Sequence, residues 1–183
     1  MNDTDPVRLF ERATARASTI MGGITPEQRT AGTPCSEWSV QQLIDHMTGS
    51  TDYLLAAVAG EPPSVRRGAT PDDYRAGVAA ALEALARPGV LDLRCASPLG
   101  FEWSVAEATA GTFMDNLVHT WDLAVATGQD PTLDVDLVDA CVAMFLPDMP
   151  ERGRAGGIVG PAVAVPVDAS PQDRLLGAMG RRP

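Results

Sequence analysis

The segment FMDNLVHTWDLA, residues 113–124, combines an apolar pattern with three polar side chains in its interior. Asp115, His119 and Asp122 follow one another at intervals of four and three residues, and this spacing places them on one face of a helix. A histidine and two aspartates on one face of an apolar helix indicate one of two arrangements. They either coordinate an ion, or they are hydrogen-bonded polar residues within a helical core.

Capping signals on both sides extend this segment into a long helix. Ser104 and Glu107 form a capping box at its start, and Gly128 is a typical glycine C-cap at its end. The tetrapeptide EWSV occurs at residues 37–40 and again at 102–105, and each copy opens a helix that carries a histidine. Because the flanks of the two copies differ, we interpret them as repeated capping signals and not as a duplicated domain.

Five further helices are predicted from the same kinds of signal. Each begins at a residue that caps helix N-termini, and in three of them proline follows at the first helical position. The predicted ranges are about residues 5–22, 39–59, 70–87, 134–146 and 170–180.

Two stretches between helices are extended. Residues 90–102 are β-like and short, typical of a hairpin or an irregular link, whereas residues 158–167 contain two prolines and favour an edge segment or a wrapping arm.

These elements predict an all-α protein in which four long helices pack as a bundle. A fifth helix, an extended arm and a short last helix follow the bundle. The chain has 183 residues, the size of one domain, and its 45% of hydrophobic residues suffices for a core. We therefore expect a single domain over residues 1–183, with the bundle at about 5–128 and the accessory helix and arm at about 129–183.

Composition excludes several classes of partner and cofactor. The net charge is −10, the pI is near 4.5, and no arginine cluster is longer than a pair, so we expect no nucleic-acid partner. No apolar run approaches the roughly 20 residues of a membrane span, and the N-terminus lacks the apolar core of a signal peptide. Neither a P-loop nor GxGxxG nor GxSxG occurs. We expect a cytoplasmic protein that acts on a small molecule without a nucleotide cofactor.

The three cysteines, Cys35, Cys95 and Cys141, share no metal-ligand spacing. Their odd number and the expected cytoplasmic location favour reduced and mostly buried thiols. Cys35 lies just before a helix N-terminus, where thiolate is favoured, but a buried structural thiol is the preferred interpretation. Trp38 and Trp121 are interpreted as residues of the core or of a pocket wall.

His46 is the second of the two histidines in the chain, and it lies in the predicted helix at residues 39–59. Helical bundles often build metal sites from side chains on facing helices. His46, Asp115 and His119 are therefore the candidate metal ligands. Two imidazoles and a carboxylate suit a divalent transition metal and leave a position open for water or substrate. Asp122 is either a further ligand or the acceptor for the second ring nitrogen of His119, and the alternative of histidines satisfied within the core stays open.

Three segments resemble hallmark segments of an actinobacterial family in the DinB-like superfamily, which includes mycothiol-dependent maleylpyruvate isomerase. They are TPCSEWSVQQLIDHMTGS at 33–50, DNLVHTWDLAVATGQ at 115–129 and ASPQDRLLGAMGRRP at 169–183. The resemblance extends from about residue 8 to the C-terminus. Its specific parts are a tryptophan eight residues before a histidine and the pattern Asp-(x)3-His-x-Trp-Asp-Leu-Ala.

The resemblance implies an up-down-down-up four-helix bundle and a divalent metal, usually zinc or nickel, held by His46, Asp115 and His119. It also implies mycothiol as a possible cofactor, because members of the family are often described as metal-binding or thiol-dependent enzymes. The isomerase itself carries an additional C-terminal domain, whereas this chain has a short arm in that place. We therefore do not expect maleylpyruvate isomerisation as the reaction.

Three functional hypotheses follow. The first is a metal- and thiol-dependent transferase or isomerase that acts on a small electrophilic metabolite. In the second, a metal-bound hydroxide with Asp122 or a nearby acid as base performs hydrolysis or a lyase step. The third is a non-enzymatic metal-binding or dimerising module, since alanine-rich bundle faces pack closely enough for a homodimer.

Overall fold

The computed structural model describes residues 5–35 and 38–183, and the chain divides into two compact units, Met1–Pro131 and Thr132–Pro183. The first unit contains helices α1 (Pro6–Gly22), α2 (Val40–Ala59), α3 (Pro71–Leu85) and α4 (Val105–Thr127), two 3-10 helices (Pro26–Thr30 and Val90–Asp92), and a hairpin of β1 (Arg94–Ala96) and β2 (Glu102–Ser104). The second contains α5 (Val135–Phe145), α6 (Met149–Ala155) and α7 (Pro171–Ala178).

The predicted all-α fold is confirmed. The unit boundary lies close to the expected end of the bundle, while the single-domain assignment stays a prediction.

Capping boxes start the two helices that carry the histidines, as the sequence predicted. Ser39 accepts from the backbone N–H of Gln42, whose side chain accepts from the backbone N–H of Ser39 at 2.9 Å. Ser104 and Glu107 form the same reciprocal pair at the start of α4. Each pair satisfies two backbone donors that a helix N-terminus would otherwise leave without partners. Glu37, the first residue of the earlier EWSV copy, lies outside the described residues.

Helix α6 was not predicted, and contacts with the residues that follow it accompany its formation. Its sequence, MPERGRA, has no apolar periodicity, and Gly153 in its interior lowers helix propensity. In the structure Gly153 is buried against Val159, and its carbonyl accepts from the backbone N–H groups of Ile158 and Val159. The extended residues 158–167 form no strand, in agreement with the arm predicted there.

The four long helices form a closed ring, because α1 packs against α3 and α4, and α2 packs against the same two helices. Two pairs in this ring run parallel. The C-terminal ends of α1 and α4 meet where Gln129 Nε2 donates to the carbonyl of Ile20 at 2.9 Å. The N-terminal ends of α2 and α3 meet where Asp45 Oδ1 accepts from the backbone N–H of Ala69 at 2.7 Å.

The remaining pair that matters for the site, α2 and α4, runs antiparallel. His46 near the start of α2 lies beside Asp115 in the middle of α4, and Tyr53 further along α2 bonds to Trp103 just before α4 begins. Together with the two parallel pairs, this arrangement gives the up-down-down-up order that the resemblance implied.

Helix α4 is the central element of the first unit. From residue 108 to residue 124 every position is buried except Gly111 and Asp115. The apolar core around it includes fully buried aromatic and aliphatic side chains from all four helices: Phe10, Met21, Leu43, Ile44, Met47, Leu54, Tyr74, Phe113 and Leu123. Among the described residues, none of the helices has the length and apolar character needed to cross a membrane.

A buried polar network connects three of the helices next to the site. Tyr74 of α3 donates its hydroxyl to Asn116 Oδ1 at 2.6 Å, and Asn116 Nδ2 donates to Ser50 Oγ of α2 at 3.2 Å and to the carbonyl of Thr112 at 2.9 Å. Ser50 in turn donates to the carbonyl of Met47 at 2.7 Å. Each member of the network has a partner, so the polar atoms are accommodated in the interior and help to set the register between α2 and α4.

We predict that Tyr74→Phe lowers the free energy of unfolding by about 1–3 kcal/mol, because Asn116 Oδ1 would lose its donor in a buried position. Urea unfolding measures this change. Tyr53→Phe is the matched control, since Tyr53 is half-buried and water can replace part of the hydrogen bonding of its hydroxyl, and its effect should be smaller. Equal effects of the two variants would contradict the role given to the network.

Candidate metal centre

Helices α2 and α4 bring His46, Asp115 and His119 together. The Nε2 atom of His46 lies 3.1 and 3.0 Å from the two carboxylate oxygens of Asp115. The Nε2 atom of His119 lies 3.2 Å from Asp115 Oδ1. One nitrogen or oxygen atom from each of the three residues lies within 4.8 Å of the others. The expectation that the two helices meet at these residues is confirmed, and the cluster could hold a metal ion.

The donor set fits a small divalent cation. In a tetrahedral zinc site with bonds of about 2.0–2.2 Å, neighbouring ligand atoms are roughly 3.3–3.6 Å apart. The nitrogen–oxygen distances of 3.0–3.2 Å in the cluster are close to that separation. Both histidines present Nε2 to the carboxylate, so the three donor groups face one another across a short distance.

Asp122 contacts the opposite side of the His119 ring. Its Oδ2 atom lies 2.8 Å from His119 Nδ1, and the carboxylate is fully buried. With the Nδ1 N–H donating to Asp122, Nε2 faces Asp115 and is the ring nitrogen that would ligate a cation in place of its proton. Two roles were considered for Asp122, and the geometry favours orientation of the imidazole over direct ligation of a metal. A carboxylate that accepts from the second ring nitrogen of a ligating histidine is common in metal sites.

Charges within the cluster shift two pKa values. Burial alone would lower the pKa of His119, but the adjacent carboxylates of Asp115 and Asp122 outweigh it and raise the pKa to about 9. Burial alone would raise the pKa of Asp115, but His46 and His119 outweigh it and hold the pKa well below its usual range. In the metal-free protein a proton on His119 therefore neutralises part of the buried negative charge, in the place where a cation would do the same.

Trp38 covers one side of the imidazoles. Its ring centroid lies 4.5 Å from that of His46 and 5.6 Å from that of His119. The loop before α2 fixes this position, because the backbone N–H of Trp38 donates to the carbonyl of Cys35 at 2.8 Å and Thr33 Oγ1 donates to the carbonyl of Trp38 at 2.9 Å. The interpretation of Trp38 as a wall residue agrees with these contacts.

The cluster is open on one side. The side chain of His46 is 35% exposed and that of Asp115 is 28% exposed, whereas those of His119 and Asp122 are 8% and 0% exposed. A ligand from solvent therefore reaches the cluster past His46 and Asp115, and the His119–Asp122 pair forms its closed side.

The cysteines are all free thiols. Cys141 is buried, and burial raises the pKa of its thiol to about 12. Cys35 and Cys95 are half-buried, so the expectation that Cys35 is a buried thiol was wrong. Cys35 lies in the loop before α2, where its carbonyl accepts from the backbone N–H of Trp38. Sequence reasoning assigned no role to Tyr53 and Trp103, whose side chains meet at 2.6 Å two turns of α2 beyond His46.

The three candidate ligands lie within the part of the chain that matches a known protein family. Residues 10–124 match the family model described as "Mycothiol maleylpyruvate isomerase N-terminal domain". Two proteins of Mycobacterium tuberculosis are each 31% identical to the chain over 188 residues, covering 97% of this chain and 98% of their own length: uncharacterized protein MT0763 of strain CDC 1551 / Oshkosh and uncharacterized protein Rv0738 of strain ATCC 25618 / H37Rv. No solved structure matches the chain significantly.

The raised pKa of His119 predicts a pH dependence of stability in the metal-free protein. In the folded state His119 keeps the second ring proton of its imidazolium form up to about pH 9. In the unfolded chain it releases this proton near the ordinary pKa of 6.5. The stabilisation is therefore complete below about pH 6.5 and is lost as the pH rises through 9. Urea unfolding at several pH values, with a chelator present, should show the free energy of unfolding falling across this window.

His119→Gln is the control for this titration, because glutamine carries no titratable proton. The fall in stability between pH 6.5 and 9 should be smaller in this variant than in the wild-type protein. The same slope in both proteins would show that His119 is not the titrating group.

Proposed function

Because the chain belongs to the mycothiol maleylpyruvate isomerase N-terminal domain family, we propose that it is a divalent-metal-binding enzyme that uses a low-molecular-weight thiol. The thiol is mycothiol, and the reaction is the transfer or isomerisation of a small electrophilic metabolite. The observation that carries the proposal is the convergence of His46, Asp115 and His119 at a cluster with one open side.

In this proposal His46 Nε2, His119 Nε2 and the Asp115 carboxylate hold the cation, with zinc the first choice and nickel the second. Imidazole suits both metals, and three protein ligands leave a coordination position for a reactant. When bound, such a cation lowers the pKa of a coordinated thiol, so that a thiolate is present at neutral pH.

The other residues of the centre position the ligands and limit access. Asp122 accepts a hydrogen bond from His119 Nδ1 and thereby fixes the imidazole with Nε2 facing Asp115. Trp38 lies against both imidazoles and excludes water from the faces that it covers. The exposed edges of His46 and Asp115 leave the approach for the thiol and its acceptor.

The hydrolase or lyase alternative has less support. It needs a carboxylate base that can reach a water molecule at the open side, and the candidates for that base were Asp122 or a nearby acid. Asp122 is fully buried, and its Oδ2 atom is hydrogen-bonded to His119 Nδ1 on the closed side of the cluster.

A purely structural metal site also has less support, because such sites are normally closed by four protein ligands. The cytoplasmic location and a homodimer stay predictions.

Metal content tests the ligand set. Purified wild-type protein is expected to retain about one equivalent of divalent metal in elemental analysis, and His119→Ala is expected to lose it, because three ligands define a single site. Asp122→Asn should keep the site but weaken metal affinity about 10–100-fold, the usual effect of removing an orienting partner. Asp72→Asn, at an exposed acid on α3, is the control and should bind metal as the wild type does. Unchanged metal content in His119→Ala would contradict the assignment.

Thiol binding tests the reaction class. Isothermal titration of the zinc-loaded protein with mycothiol should show binding that is absent from the metal-free protein, because the thiol sulfur needs the cation. Turnover of an electrophilic substrate should also require the thiol. Turnover that proceeds at the same rate without thiol would favour the hydrolase alternative, and absence of thiol binding to the metal-loaded protein would refute the proposed function.

A further inference from the structure

Both copies of the tetrapeptide EWSV place a tryptophan directly before the serine that caps a histidine-bearing helix. Each tryptophan contacts the residue eight positions later in its own helix. Trp38 lies against His46, with the ring centroids 4.5 Å apart. Trp103 lies against Gly111, where an added Cβ atom would come within 3.0 Å of Cη2 of the indole. The same sequence therefore places an indole over the same position of two helices, and the residue that the indole meets differs.

Short antiparallel pairings hold both tryptophans at the start of their helices. Trp103 lies in β2, which pairs with β1. Trp38 lies in a similar turn, because its carbonyl accepts from the backbone N–H of Thr33 at 3.2 Å and an antiparallel bridge joins Gly32 to Ser39. Each indole thus projects from backbone that is already hydrogen-bonded and that leads directly into the capped helix.

Helix geometry brings the His46 ring toward Trp38. Side chains on an α-helix lean toward its N-terminus, so that a residue covers the turn before its own Cα atom. The contact between the two rings, whose planes are tilted by 38°, agrees with this direction. The indole centroid also lies 5.6 Å from that of His119, so Trp38 contacts the imidazoles of both proposed ligands.

The two imidazoles are held in different ways. His119 is nearly buried, and its Nδ1 atom is hydrogen-bonded to the fully buried Asp122. His46 is more exposed, and none of the described residues hydrogen-bonds to its Nδ1 atom. Its ring is restrained by Asp115 at Nε2, by the edge of His119 and by Trp38. Of these three contacts, only the one with Trp38 comes from a residue that does not itself bind the proposed cation.

We infer that Trp38 is a positioning residue for the metal ligand His46, in the role that Asp122 has for His119. The inference rests on the proposed function, because it concerns a ligand of the proposed cation. Contact with the indole limits rotation of the imidazole and keeps its Nε2 atom toward Asp115. A ligand that is oriented before the cation arrives loses less conformational freedom on binding. The second EWSV copy has no such role, because its indole meets a glycine.

Zinc affinity of four variants tests the inference. Trp38→Ala removes the ring, Trp38→Leu keeps an apolar side chain without a ring, and Trp38→Phe keeps an aromatic ring. Trp103→Ala is the matched control, because it removes the half-buried tryptophan of the same tetrapeptide, whose ring lies on Gly111 in place of a ligand. Competition with a chromophoric chelator measures the affinity, and urea unfolding of the metal-free protein verifies that each variant is folded.

Nitrogen NMR adds a local measurement, because His46 and His119 are the two histidines of the chain. Protein labelled with ¹⁵N at histidine gives imidazole signals from these two rings, and His46→Gln identifies those of His46. In the zinc-loaded wild type and in Trp103→Ala, both rings should show a metal-bound Nε2. In zinc-loaded Trp38→Ala, the His46 signals should move toward those of the metal-free protein while the His119 signals stay unchanged.

Trp38→Ala and Trp38→Leu should each lose about tenfold in zinc affinity, as expected for the loss of an aromatic pair. Trp38→Phe should stay within about threefold of the wild type, and Trp103→Ala within about twofold. If Trp38→Ala does not fold, the comparison of Trp38→Leu with Trp38→Phe decides.

Three results would overturn the inference and leave the proposed function intact: unchanged affinity in Trp38→Leu, equal losses in Trp38→Leu and Trp38→Phe, or an equal loss in Trp103→Ala. If the wild-type protein bound no zinc, the proposed function would fail, and the inference with it.

Discussion

The structure depends on one carboxylate, that of Asp115, which lies between two imidazoles in the middle of an otherwise buried helix. A carboxylate in such a place is costly unless opposite charge and hydrogen bonds surround it. His119, one turn along the same helix, supplies part of that compensation, and His46 from α2 supplies the rest. The helices must therefore keep one relative position, since a shift by one turn would leave Asp115 without His46.

Several features of the bundle stabilise this relative position of α2 and α4. Capping boxes at Ser39 and Ser104 begin α2 and α4 at defined residues, and the buried amide of Asn116 connects α4 to α2 and α3 beside the cluster. The same compensation explains how a cation fits the site chemically. The carboxylates of Asp115 and Asp122 raise the pKa of His119, and the proton that His119 retains takes the role that a divalent ion would take. A centre built in this way is pre-organised before any ligand arrives, which lowers the cost of binding.

Much of this arrangement could be predicted from the sequence, because it is encoded locally. Helical spacing alone places Asp115 and His119 on one face, and caps define where the helices start. His46 was a candidate because it is the second histidine and lies in another predicted bundle helix, but spacing within one helix does not determine which side chains of a neighbouring helix it meets. The contacts of Trp38 with the imidazoles and the network around Asn116 were beyond sequence reasoning, because they join residues far apart in the chain through side-chain orientations that only packing determines. The short helix α6 was missed because Gly153 in its interior lowers helix propensity, while the contacts of Gly153 with Ile158 and Val159 form only in the folded segment.

The most direct measurement of the central claim is a crystal structure of the zinc-loaded protein with anomalous diffraction data collected on both sides of the zinc edge. The account predicts one strong anomalous peak within about 2.0–2.2 Å of His46 Nε2, His119 Nε2 and an oxygen of Asp115. Asp122 should remain hydrogen-bonded to His119 Nδ1 in that structure. A zinc peak bound to other residues, with the carboxylate of Asp115 still paired only with the two imidazoles, would contradict it.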